Sequence, residues 1–234
     1  MLIKRTLLLA IAALTTAVAN VRAQEQPEYL MEIGAGGGVV GYLGDFNGNI
    51  TKNLQPAATI VGRYNINSYM AVKLQLAYGK MKGSSEKVKT YYPDYSDKVY
   101  TFSNPIGALV AAYEYNFVPY GTGREYRGAK RLAPYLSLGL EANYIRVNGE
   151  QKSNVFTMSI PLGIGLKYKL GERANIGLEW AMHFSLSDKL DGVKDPYGIK
   201  SSGLFKNTDG YTSLMITATY SFNAKCRTCH NEDE

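Results

Sequence analysis

Residues Ala174–Ser187 read ANIGLEWAMHFSLS, and the two parities of this stretch are opposite in character. Ile176, Leu178, Trp180, Met182, Phe184 and Leu186 fall on one; Asn175, Gly177, Glu179, Ala181, His183 and Ser185 fall on the other. A strict period of two is the mark of a strand with one apolar and one polar face. The pattern recurs in Met70–Gly79, Tyr135–Tyr144, Phe156–Leu170 and Leu214–Phe222. Three weaker stretches, the glycine-rich Tyr29–Tyr42, then Leu54–Ile66 and Phe102–Phe117, bring the set to eight. Each has about ten or more residues, the length a tilted strand needs to cross hydrocarbon.

The polar parity is also the small one, with Gly34, Gly36, Gly38, Gly139, Gly163, Gly165 and Gly177. Small residues suit the inside of a narrow barrel, whereas the large aliphatics and flanking aromatics suit a wall facing lipid. A soluble barrel would bury its apolar parity instead. An open sheet in lipid would leave edge amides unpaired, so the sheet must close. The expectation is an all-β, eight-stranded, antiparallel up-and-down transmembrane β-barrel of the outer-membrane type, its lumen filled with side chains. Pro161 lies in mid-strand and predicts a bulge.

The chain opens with Lys4 and Arg5, an apolar run from Thr6 to Val18, and Val21-Arg22-Ala23. These are the three parts of a secretory signal peptide, expected to span 1–23. The barrel is then expected over 24–222 and a polar tail over 223–234. The formal charge of +6 falls to +3 once Lys4, Arg5 and Arg22 leave with the signal. That small, unclustered excess is no nucleic-acid footprint. Nineteen tyrosines and 24 glycines favour strands, turns and interfaces. The expected location is the outer membrane, in contact with its lipids and with both termini periplasmic. The outer loops are then Leu43–Asn53, Gly83–Asp97, Gly149–Ser153 and Asp188–Asp209, and the inner turns Asn67-Ser68, Val118–Arg131 and Gly171–Arg173.

By parity the lumen receives Glu32, Arg63, Lys73, Glu114, Glu141, Lys167, Glu179 and His183. Charges of both signs in a narrow interior should pair, giving a plugged core rather than a porin's channel. Glu179, His183 and Ser185 share one strand face, an arrangement similar to that of outer-membrane lipid A deacylases. Parity turns them away from lipid, so they are read as part of the lumen network and no catalytic residue is expected. The tail spells Cys226-Arg227-Thr228-Cys229-His230, the attachment motif of c-type haem, but no haem-enclosing domain accompanies it and no cofactor is expected. In an oxidising compartment Cys226 and Cys229 should bridge, to each other or to a partner. A zinc site would need more ligands than this tail offers. Arg124, Arg127, Lys130 and Arg131 make the inner Val118–Arg131 segment a candidate docking surface beside this tail. The alternative readings are an outer-membrane lipid A hydrolase using Glu179, His183 and Ser185, or a narrow porin or an adhesin using Gly83–Asp97 and Asp188–Asp209.

Several pieces in order carry a resemblance: Glu32-Ile33-Gly34 leading to Gly41-Tyr42-Leu43-Gly44-Asp45, then Arg63-Tyr64-Asn65-Ile66-Asn67. Glu114-Tyr115-Asn116-Phe117, Pro134-Tyr135 and the Cys226/Cys229 pair complete it. Together they resemble the PorG-like outer-membrane barrels of the type IX secretion system. The resemblance implies a non-enzymatic part of an export machine that contacts a periplasmic ring of the lipoprotein PorK and its partner PorN.

Overall fold

Each alternating stretch is a strand in the computed structural model, which describes residues 27–43, 53–84, 101–122, 129–147, 153–186 and 210–224. The strands are β1 (Tyr29–Leu43), β2 (Gln55–Asn65), β3 (Met70–Ser84) and β4 (Thr101–Asn116), followed by β5 (Leu132–Val147), β6 (Ser153–Lys169), β7 (Ala174–Ser185) and β8 (Gly210–Ala224). Every strand pairs antiparallel with its sequence neighbour, and β8 returns to β1 over a ladder running from Tyr29↔Ala224 to Leu43↔Gly210. Closure leaves no sheet edge, which a sheet in hydrocarbon requires.

The parity of each strand holds through the barrel. Glu32, Arg63, Lys73, Glu114, Glu141 and Lys167 are buried inside, while Ile33, Ile60, Leu74, Leu140 and Ile216 stand on the outer wall, each 55 to 59% exposed. So continuous an exposed apolar surface exceeds the few hundred Å² that a soluble monomer shows, and lipid is the solvent it suits. Aromatics flank the aliphatic band: Tyr113, Tyr115, Phe117, Tyr168 and Tyr220 toward the end where β1 begins and β8 ends (the termini end), and Tyr78, Tyr144 and Phe156 toward the other. Glycines on the inner parity let β1 and β8 close tightly. A Cβ at Gly34, Gly36 or Gly38 would lie 1.9 to 2.1 Å from a carbonyl oxygen of β8.

The short connections lie at the termini end. Between β2 and β3, Asn67 Oδ1 accepts from the amides of Tyr69 and Met70, both at 2.8 Å, a side chain standing in for a backbone turn. Between β6 and β7, the amides of Leu170 and Gly171 both donate to Ala174 O. Pro161 does not bulge its strand, contrary to expectation. Pairing with β5 lapses opposite Ile160 and Pro161, then resumes in the same register, and pairing with β7 runs straight through. Losing a donor interrupts the ladder locally without inserting a residue.

Candidate functional site: a sealed lumen and its mouth

At the termini end, six charged side chains share the barrel interior. Glu114 lies at the centre and meets three cations: Arg63 at 3.1 Å, Lys73 at 3.6 Å and Lys167 at 2.5 Å. Arg63 also reaches Glu32 at 3.4 Å, and Lys73 reaches Glu179 at 2.6 Å. Three cations therefore face three carboxylates, and the cluster is neutral as a whole. Further hydrogen bonds complete the cluster. Tyr135 OH donates to Glu179 at 2.7 Å, Asn65 donates to Glu32 at 3.2 Å, and Lys167 donates to Asn116 Oδ1 at 3.2 Å. Burying charge is tolerable on these terms, because each member is both paired and hydrogen-bonded.

A second group lies further along the barrel. His183 Nδ1 meets Glu141, its Nε2 lies 2.9 Å from Ser213 Oγ, and its ring stacks on Tyr211 with centroids 4.0 Å apart. Tyr211 OH also donates to Glu141. A cavity beside His183 and Ser213, lined further by Gln75, Val110 and Met215, has a volume of about 20 Å³, room for about one water.

The end remote from the termini is closed by apolar side chains. Val40, Tyr42, Met81, Phe102, Ile106, Ile145, Tyr211 and Met215 form one buried cluster, with Tyr42 and Phe102 meeting edge to face at 4.9 Å. The mouth at the termini end is closed differently, by the segment after β4. Thr122 donates through its amide and its hydroxyl to Glu28 Oε1, at 2.9 and 2.7 Å, while Tyr120 N donates to Ser68 O. This draws Tyr120 under the barrel, with Lys169 5.3 Å and Lys167 5.8 Å from its ring centroid. Burial there pushes the Tyr120 phenol up. Lys169 completes the seal through Glu28 at 3.5 Å.

The eight charged or imidazole side chains assigned to the lumen by parity are all inside, but in two groups rather than one network. Glu179 lies with Lys73 and Tyr135, whereas His183 binds Glu141 and Ser213 and not Glu179 or Ser185. Strand spacing suggested Ser185 as the hydroxyl beside His183; the β7–β8 pairing supplies Ser213 instead. Glu141, His183 and Ser213 are each at most 7% exposed, walled off from the lipid face. Parity reading overlooked Tyr135, Asn116, Tyr120, Lys169 and Tyr211. The first two lie on the inner parity of their strands and carry groups that complete the charge cluster; the others lie at or beyond strand ends. Of the proposed docking residues, Lys130 and Arg131 are described. Lys130 N donates to Pro119 O and Arg131 Nε donates to Thr122 O, so both brace the segment that crosses the mouth. Arg124, Arg127, Cys226 and Cys229 lie outside the described residues, as do the signal region 1–23 and most of the long loops. No group of three or more potential metal ligands occurs among the described residues.

A closed eight-stranded barrel with an apolar outer wall and an ion-paired interior belongs to the outer-membrane β-barrel fold. The crystal structure of Neisserial surface protein A has this fold: 15% identity, 82% of this chain and 97% of that one, TM-score 0.50. The outer membrane protein OprG from Pseudomonas aeruginosa matches at 13% identity, over 86% of this chain and 99% of that one, with a TM-score of 0.49. Ail, the attachment invasion locus protein of Yersinia pestis, matches at 13% identity, 82% and 96% coverage and a TM-score of 0.45. The chain itself belongs to the family described as Domain of unknown function (DUF6089), whose model matches residues 5–231. No curated protein matches the sequence.

Proposed function

We propose that this protein is a non-enzymatic outer-membrane anchor for a protein-export assembly, the part played by PorG-like barrels in the type IX secretion system. One observation carries the reading. The interior is blocked along its length by ion pairs at one end and apolar side chains at the other, with the mouth covered by Tyr120, so the work of the molecule falls to its surfaces. The termini-end face exposes Lys130, Arg131 and Arg173, with the carboxylate of Glu172 beside the last. The signal peptide 1–23 delivers the chain across the inner membrane, and both termini then lie in the periplasm. There the tail 223–234, with Cys226 and Cys229, contacts a ring built from PorK and PorN.

Photo-crosslinkers placed at Lys130, Arg131 and within 223–234 in intact cells test this directly. Capture of the ring proteins is the expected result. Crosslinks to lipid alone, from every position, would contradict it. Replacing Cys226 and Cys229 by Ser should weaken co-purification of the ring while leaving the barrel intact.

A further inference from the structure

Among the described residues, the outward positions of the strands carry charge at one place. On β3, Tyr78, Lys80 and Lys82 project outward in succession; on β5, Tyr144 and Arg146 do the same. Between them runs β4, whose outward positions at these levels are Gly107, Pro105 and Ser103. Tyr78 pairs with Gly107, which pairs with Tyr144, so one glycine separates two tyrosines that are 61% and 51% exposed. A Cβ at Gly107 would find its nearest neighbour 4.0 Å away, which leaves a slot along β4. One step further from the membrane centre, Lys80 pairs with Pro105. Arg146 follows Ile145, the partner of Ile106, and so flanks Pro105 from the other side. The two cations therefore face each other across two strand spacings, about 10 Å.

We infer that this slot binds a phosphorylated, acylated lipid, its chain lying over Gly107 between Tyr78 and Tyr144 and its phosphate held by Lys80, Lys82 and Arg146. The two chemistries are stacked in the order a lipid needs. Toward the membrane centre the slot continues onto Leu76, Leu109 and Ala142, which are aliphatic; at the aromatic level it narrows; beyond that it is cationic. Among the described residues no carboxylate stands on this face beside Lys80, Lys82 and Arg146. Elsewhere at this end the outward residues are uncharged, among them Val39, Leu43, Leu54, Phe184 and Leu186. Lysine and arginine at the headgroup level attract anionic lipid at a useful strength, and their long stems cover apolar surface as they do so. The orientation proposed above puts this end in the outer leaflet, and the occupant is then a phosphorylated glycolipid. The site rests on that reading of the barrel as membrane-embedded.

The test uses the full-length protein purified in detergent, with bisphosphorylated lipid A, its dephosphorylated form and phosphatidylglycerol each titrated and bound lipid counted by native mass spectrometry. Wild type should retain lipid A in preference to the other two. The double variant Lys80→Gln/Arg146→Gln should weaken that retention roughly 30-fold, about five-fold for each cation removed. Gly107→Phe, which fills the slot, should lower retention of both forms of lipid A. Heat-modifiable electrophoretic mobility verifies that each variant is folded. Equal retention by wild type and the charge variant, or no preference for the phosphorylated glycolipid, would overturn the site. Trp180, the only tryptophan of the chain, separates the two levels of failure: quenching by brominated lipid chains with unchanged retention refutes the slot alone, whereas absence of quenching refutes the membrane reading beneath it.

Discussion

The two ends of the lumen are sealed by different physics. Toward the termini, Glu114 draws Arg63, Lys73 and Lys167 around itself, and Glu32 and Glu179 balance the remaining charge. Toward the other end, Tyr42, Met81, Phe102, Ile106 and Ile145 close the interior as a packed apolar cluster. The ionic half depends on its complement being whole, since removing one partner leaves a buried charge without compensation. The apolar half degrades gradually, methylene by methylene. A barrel built in both ways is stopped twice over, and each stop fails by its own route.

That contrast can be broken at several points, the largest effect first. Glu114→Ala leaves three buried cations against two carboxylates, and should cost about 4 kcal/mol in urea unfolding of the bilayer-inserted barrel. Met81→Ala, in the apolar half, opens a cavity and should cost about 3 kcal/mol by the same measurement. Ile145→Val removes one methylene and should cost about 1 kcal/mol. An Ile145→Val loss as large as that of Glu114→Ala would erase the distinction between the halves. Lys130→Ala with Arg131→Ala changes an exposed rim and removes the Arg131–Thr122 hydrogen bond, and should cost no more than about 1 kcal/mol. Crosslinking of periplasmic partners should nonetheless fall in that variant, and an unchanged crosslink pattern would remove the rim from the proposed docking face.

Strand number, barrel closure and the inward direction of Glu32, Arg63, Lys73 and Glu114 were legible in the sequence because parity is a local property. Residues two apart share a face whatever the tertiary structure does. Pairing across the lumen was not legible. Lys73 and Glu179 are separated by 106 residues, and only the closed register brings them together. His183 shows the limit most clearly: its same-face neighbours on β7 are Ala181 and Ser185, yet its hydrogen-bond partners come from β5 and β8. The apolar stop was hidden for a different reason. Val40, Tyr42, Ile106 and Ile145 stand on the inner parity, where greasy residues resemble exceptions until the ends of β1, β3, β4, β5 and β8 are seen to meet. Pro161 misled because a missing donor was taken to require an extra residue, whereas the ladder simply skips two pairs.

Single-channel recording in planar bilayers addresses the sealed lumen most directly. Purified barrel, shown to be inserted by quenching of Trp180, should add no steady conductance above the bare bilayer in symmetric salt. A stable open level in the wild-type protein would mean that ions pass the Glu114 cluster and the Phe102 contact alike, and would contradict a role confined to surfaces.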